Sequence, residues 1–291
     1  MTALRVWIFA AAFWLAAVPP AGADTLYRPK ITQIWSLSGF QEPESVILEG
    51  RENVLYVSNI NGDPSAKDGN GYISKISTDG RILSKAWVTG LNAPKGMAVV
   101  FRKLFVADID ELVEITFSNQ EKKIYPAPGA KFLNDVTDDR AGRIYVSDTF
   151  DNGIYRAAAG KFTLWLQDPK LIGPNGLAAG SKRLLVAAWG PGDAPGHLLT
   201  VSLDNKKEIA PLGDGQPVGK LDGLAPDGHG NFLVTDWVAG DLLLVSPSGE
   251  SIRVMHLGDG AADFFYLIED GVLIVPIMKE GRVTAYALDY E

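Results

Sequence analysis

The chain has 291 residues, 46% of them hydrophobic, with 27 Lys and Arg against 35 Asp and Glu for a formal charge of −8. This excludes a disordered polar tail, and an acidic excess without any basic run leaves no electrostatic footprint for nucleic acid. Cysteine is absent, so disulfides, thiolate nucleophiles, cysteine zinc sites and iron–sulfur clusters are excluded together, and a metal would have to sit on oxygen or on the three histidines.

Residues 1–23 read MTALRVWIFAAAFWLAAVPPAGA: Arg5, an apolar run from Val6 to Val18, then Ala21-Gly22-Ala23 as a small-residue cleavage site. The run is 13 residues long, and a membrane span needs about 20. A secretory signal cleaved before Asp24 is therefore predicted. It leaves 24–291 as one domain with no membrane span, secreted and, in a diderm cell, periplasmic.

The remainder is one unit repeated six times. Apolar runs closing on a small or acidic residue recur as VLYVSN (54–59), KLFVAD (103–108), RIYVSD (143–148), RLLVAA (183–188), NFLVTD (231–236) and VLIVPI (272–277). Each is read as a buried strand. About ten residues upstream of each stands a shorter motif: PESV, PKGM, LNDV, PNGL, LDGL and ADFF. Their second residues fall at 44, 95, 134, 175, 222 and 263, spaced by 51, 39, 41, 47 and 41 residues, the period of a four-stranded propeller blade. A third apolar stretch follows in every unit and a fourth in five of them. The sixth unit lacks its fourth strand, and ITQIWSL (31–37), ahead of the first repeat, is free to supply it. The predicted fold is all-β, a six-bladed β-propeller closed by an N-terminal strand. A β-sandwich would explain neither the period nor the matched placement of the short motifs.

The innermost strands of a propeller line its central channel, so one position per repeat points at a common axis. That position reads Glu44, Lys95, Asn134, Asn175, Asp222 and Asp263, while the residue two places later is apolar in all six units. Three carboxylates and one ammonium crowded at one axis must raise their pKa values or bind a cation. Glu44, Asn134, Asn175 and Asp222 offer four oxygens and no nitrogen or sulfur donor, which favours Ca²⁺, with Mg²⁺ or Mn²⁺ next.

At these residues the sequence resembles the senescence marker protein, gluconolactonase and luciferin-regenerating enzyme family of six-bladed propellers. The motifs are Pro43-Glu44-Ser45, NDVTDDRAGR from Asn134, Pro174-Asn175-Gly176 and Asp222-Gly223, in order and at blade spacing. The resemblance implies a divalent cation, usually calcium, held by Glu44, Asn134, Asn175 and Asp222, and a hydrolase of lactones. Related propellers hydrolyse phosphotriesters or aryl esters. Two positions depart from the pattern. Phe132 stands where several sugar-lactone members carry an arginine for substrate hydroxyls, which points to a less polar substrate. Lys95 would repel a cation if it faced inward, pair with Glu44, or hold a substrate oxyanion.

On this reading Asp222 is both ligand and catalytic base, with Asp263 a second candidate base. His229, His197 and His256 fall in a turn, at the opening of a third strand and in an outer strand, away from the ring. Ser45 lacks the context of a serine nucleophile. Loops 59–71 and 189–196 are expected on the face of the ring. Trp189 and Trp237, each just after a second strand, are expected to line a pocket with Lys95 and Phe132. Pro64 occupies the glycine position that a calcium loop at Asn59, Asn61 and Asp63 would require, which argues against a second site. The expected partner is a small lactone or ester, and the chain is expected to be a monomer. The competing readings are a periplasmic propeller that binds a ligand or protein without catalysis, and a phosphotriesterase-like activity.

Overall fold

The second strand of each repeat is apolar almost throughout because both faces of its sheet are covered; Val54–Asn59 and Val272–Ile277 are buried along their whole length. Sheets of this kind must be stacked between two others, and six of them arranged radially close on themselves. The computed structural model describes residues 26–290 and shows six four-stranded antiparallel sheets. The expected signal segment, 1–23, lies outside the described residues.

Blades 1 to 5 are meanders whose inner strands are Pro43–Glu49, Pro94–Val100, Leu133–Asp138, Pro174–Ala179 and Leu221–Pro226. Blade 6 is composite. Phe265–Leu267, Val272–Ile277 and Arg282–Asp289 come from the C-terminal end, and its outer strand is Lys30–Ser38. That strand runs antiparallel to Arg282–Asp289, from Lys30 opposite Asp289 to Ser38 opposite Arg282. Closure by the N-terminal strand is thus observed, and it covers an edge that would otherwise be open to foreign strands. Trp35 ties the closing strand to blade 1 by donating from Nε1 to Thr78 O at 2.9 Å. The only helical pieces among the described residues are three short 3-10 turns, Thr149–Asp151, Pro169–Leu171 and Met278–Glu280, and no helix is long and apolar enough to cross a membrane.

The core lies between blades rather than within one. Tyr56 and Ile73 of blade 1 pack on Met97 and Val113 of blade 2, and Leu55 and Val57 on the other face of blade 1 pack on Val283 and Ala285 of blade 6. Comparable apolar slabs fill the four remaining gaps. Every slab needs both neighbours, so burial is complete only in the closed ring.

The inner strands share one irregularity. Register breaks occur between Pro43 and Val46, Pro94 and Met97, Leu133 and Val136, Pro174 and Leu177, and Leu221 and Leu224. Two residues there oppose one, a β-bulge that re-aims the first of the pair, which is the ring residue. The second of each pair is Ser45, Gly96, Asp135, Gly176 or Gly223. In three blades a hydroxyl on the second strand accepts its amide: Ser58 for Ser45, Ser147 for Asp135 and Thr235 for Gly223, at 2.8 to 2.9 Å. In blade 6 the strand expected at ADFF begins later, at Phe265. Its partner strand contains Pro276, which has no amide to pair, and only the Pro276 carbonyl is used, by Ala262 N at 3.1 Å. Asp263 therefore sits in the approach to its strand, between the Ala261 to Ile277 bridge and Phe265.

The glycines of the bulges allow neighbouring inner strands to touch. A Cβ on Gly176 would lie 2.0 Å from the Asp222 carbonyl oxygen. Gly176→Ala must push blades 4 and 5 apart, at a cost of roughly 1–3 kcal/mol. The expected result is a melting temperature lowered by several degrees in differential scanning fluorimetry.

Candidate metal and substrate site at the hub

The bulges bring the ring residues to one end of the inner strands. Glu44, Lys95, Asn134, Asn175 and Asp222 are buried, and Asp263 is partly exposed. Blades 6 and 1 meet through the Asp263 amide, which donates to Glu44 O at 3.0 Å. The Ser45 hydroxyl donates to Asp263 Oδ2 at 2.6 Å. Both ring amides have their NH₂ groups engaged: Asn175 Nδ2 donates to Leu221 O at 3.1 Å and lies within reach of the Asp222 carboxyl, whose pKa it lowers, and Asn134 Nδ2 donates to Thr149 Oγ1 at 3.2 Å. Their oxygens are left for the hub. Asn175 Oδ1 and Glu44 Oε2 are buried without a hydrogen-bond partner, and an orphaned buried acceptor costs about 1–3 kcal/mol, more if charged.

Electrostatics sharpens the point. Burial raises the carboxyls of Glu44, Asp135 and Asp222 well above the usual range, and their neighbours raise them further: Asp222 and Asp263 act on Glu44, and Asp263 acts on both Asp135 and Asp222. Burial raises Asp263 to about 6, against the lowering effect of the Ser45 hydrogen bond. Four acids share a hub with one ammonium, so ionising them together would place more negative charge there than the protein compensates.

Lys95 does not face a cation directly. Its ammonium donates to Pro64 O and Ala93 O, both at 2.9 Å, and lies 4.2 Å from the centroid of Phe132. Loop 59–71 thus roofs the hub, and Lys95 is committed to that roof rather than to a salt bridge with Glu44. Burial lowers its pKa to about 8.

The rim is asymmetric. After the second strands of blades 1, 2 and 6 stand Ile60, Ile109 and Met278, which pack together with Ala93. The equivalent residues in blades 3, 4 and 5 are Thr149, Trp189 and Trp237. The two tryptophan rings are 5.9 Å apart, and Phe132 stacks on Phe150 at 4.3 Å. Of the residues expected to meet a substrate, Trp189 and Trp237 stand side by side, Phe132 stacks on Phe150, and Lys95 is buried beside Phe132.

Asp135 was missed by sequence reasoning. Its Oδ2 accepts the Leu177 amide of blade 4 at 2.6 Å and its Oδ1 accepts the Val136 amide at 2.6 Å. The available signal was an aspartate in a column that reads Ser45, Gly96, Gly176, Gly223 and Phe264 in the other repeats. Thr149 was missed as well; its hydroxyl takes the Asn134 amide and donates to Pro174 O at 2.8 Å. It is the one small polar residue among six at its position. The acids ending the second strands have a structural use: Asp108 accepts the amides of Asn92 and Ala93, and Asp148 those of Lys131 and Phe132. No histidine reaches the hub. His229 packs on Tyr290, His256 pairs with Asp241, and His197 leads into the third strand of blade 4, its carbonyl accepting Ala188 N at 3.2 Å.

Among the described residues no three carboxylate, imidazole or thiolate groups converge as a ready-made metal cluster. The predicted set is of another kind, two carboxylates and two amides, and its two orphaned oxygens fit a hard cation bound by oxygen donors.

No protein-family model and no curated protein matches the chain. Solved structures of similar fold include a candidate gluconolactonase, at 17% identity over 89% of this chain and 92% of that one with a TM-score of 0.65. Virginiamycin B lyase from Staphylococcus aureus, in an inactive form with quinupristin, aligns at 12% identity over 89% and 100% of the two chains, with a TM-score of 0.58. An auxiliary nutrient-binding protein from Bacteroides thetaiotaomicron aligns at 10% identity over 86% and 70%, with a TM-score of 0.65. At these identities the likeness is one of fold, a propeller carrying different functions.

An acid whose carboxyl is raised in the folded chain binds its proton more tightly there than when unfolded. Its stabilisation is present at low pH and is lost as pH rises through the folded value. For Asp263 that window runs from the ordinary 3.8 to about 6, and Glu44, Asp135 and Asp222 act in the same direction. In the presence of chelator, the melting temperature is expected to fall as pH rises from about 4 to 6. Added calcium is expected to offset that fall, and a chelated protein more stable at the upper end would contradict the electrostatic account.

Proposed function

We propose that the protein is a divalent-cation-dependent hydrolase of lactones or related esters, with its centre at the hub. The observation that carries the reading is the pair of orphaned oxygens, Glu44 Oε2 and Asn175 Oδ1, set among buried acids with too few donors. Glu44, Asn134, Asn175 and Asp222 would hold the cation, and the hard oxygen set favours Ca²⁺ over Mg²⁺ or Mn²⁺. When bound, the cation supplies Lewis acidity toward an ester carbonyl.

The residues supply the rest. Asn134 is oriented by Thr149, and Asn175 by the Leu221 carbonyl, so both amide oxygens are set before substrate arrives. Asp222 accepts a proton from the attacking water. The water oxygen bonds to the acyl carbon, the acyl–oxygen bond breaks, and the leaving oxygen takes up a proton. Asp263, partly open to solvent and with its carboxyl near 6, is the second base suited to neutral pH. Trp189 and Trp237, side by side, would flank the path of a substrate to these groups.

Calcium is expected to raise the melting temperature and chelator to reverse it. A pH-stat screen of lactones and esters should show turnover that chelator abolishes. Asp222→Asn should lower kcat by about 100-fold or more while circular dichroism is unchanged. Turnover near that of the wild type in this variant would remove Asp222 from the mechanism. A calcium response without hydrolysis of any lactone or ester would assign the hub to ligand binding instead.

A further inference from the structure

We infer that substrate enters the hub between blades 3 and 4, where a pocket accepts a flat, uncharged ring, so the substrate class is aryl- or cycloalkyl-bearing lactones and esters rather than polyhydroxylated sugar lactones. The identity of the reacting bond rests on the hydrolase reading above; the ring-binding half rests on the pocket alone.

The pocket has a volume of about 380 Å³ and is walled by Phe150, Pro169, Ile172, Trp189 and Pro191, with Thr149 among its lining residues. This is within the usual size of small-molecule sites. No charged side chain lines it. Its polar side chains are Thr149 and Asn152, and Asn152 Oδ1 already accepts the Gly173 amide at 2.7 Å. Lys220 lies beside the wall, its ammonium 5.5 Å from the Trp189 ring centroid and donating to Gly192 O. A sugar lactone would bring several hydroxyls to a wall whose own side chains offer few partners, and unpaired polar groups are costly to bury.

The walls are built rather than incidental. Ile172 holds φ at +46°, a left-handed conformation that a β-branched residue rarely adopts, and Asn152 holds +48°. Such strain persists only where surroundings impose it. Here Gly190 N donates to Ile172 O at 2.9 Å and Trp189 N to Gly173 O at 2.7 Å, stitching the blade 3 to 4 connection onto the blade 4 loop. Phe150 is 64% exposed and is steadied by its stack on Phe132.

The pocket leads to the ring. Thr149 lines it, and the same hydroxyl holds Asn134 and the carbonyl of Pro174, the residue before Asn175. On the other side the mouth is closed by Ile60, Ile109 and Met278 and by the roof that Lys95 anchors. A ring lodged against Phe150 and Trp189 therefore places its substituent toward the amides of the hub.

The test separates binding from turnover. Hydrocarbostyril, the lactam counterpart of dihydrocoumarin and inert to ester hydrolysis, is titrated calorimetrically into the full protein. Binding is expected, weakened about fivefold by Phe150→Ala, as loss of one aromatic contact predicts. Leu83→Ala, an exposed apolar residue on the outer strand of blade 1, serves as control and should leave binding unchanged. In turnover, dihydrocoumarin should be preferred to δ-gluconolactone, with the preference reduced by Phe150→Ala. If hydrocarbostyril fails to bind, or binds Phe150→Ala as tightly as wild type, the pocket assignment is overturned even if lactones are hydrolysed. If binding depends on Phe150 while no lactone or ester is hydrolysed, the pocket stands and the hydrolase reading falls.

Discussion

Ring closure is the constraint on which the hub depends. When Lys30–Ser38 completes blade 6, the two ends of the repeat array are brought face to face, and Asp263 donates its amide to Glu44 O at 3.0 Å. The same junction lets Ser45 bond the Asp263 carboxylate and buries Leu55 and Val57 against Val283 and Ala285. A chain open at this point would lose one apolar slab and separate two of the acids at the axis. Stability and site geometry therefore come from a single pairing.

Closure also creates the electrostatic problem at the axis. Inner strands approach so closely that Gly96, Gly176 and Gly223 have no room for a Cβ. The carboxyls left there hold their protons tightly in the absence of a cation, mainly because of burial. On the proposed reading protons and a cation would compete for the same oxygens, which would couple ion binding to pH. The bulges are the device that makes this possible, since a regular ladder would place the ring side chains across the sheet rather than toward the axis.

The fold by itself says little about chemistry, as the lyase and the nutrient-binding protein that share it illustrate. What distinguishes this chain is the asymmetry of its mouth. An apolar plug and a lysine-anchored roof close the side of blades 6, 1 and 2, and aromatic residues frame the side of blades 3 to 5.

Much of this was legible in the amino-acid order. A repeat of about 44 residues, strands apolar on both faces, and a missing last strand with a spare at the other end lead directly to a closed six-bladed ring. Because each period brings one position to the axis, Glu44, Asn134, Asn175, Asp222 and Asp263 could be named without coordinates. Other features depend on partners far away in the chain. Pro276 delays the start of the sixth inner strand, Lys95 turns to Pro64 O rather than Glu44, and Asp135 bonds Leu177 in the next blade. Periodicity records which face of a strand is buried. Which donor meets which acceptor across a blade boundary, and where Ile172 must strain to form a wall, is decided only when six sheets are packed together.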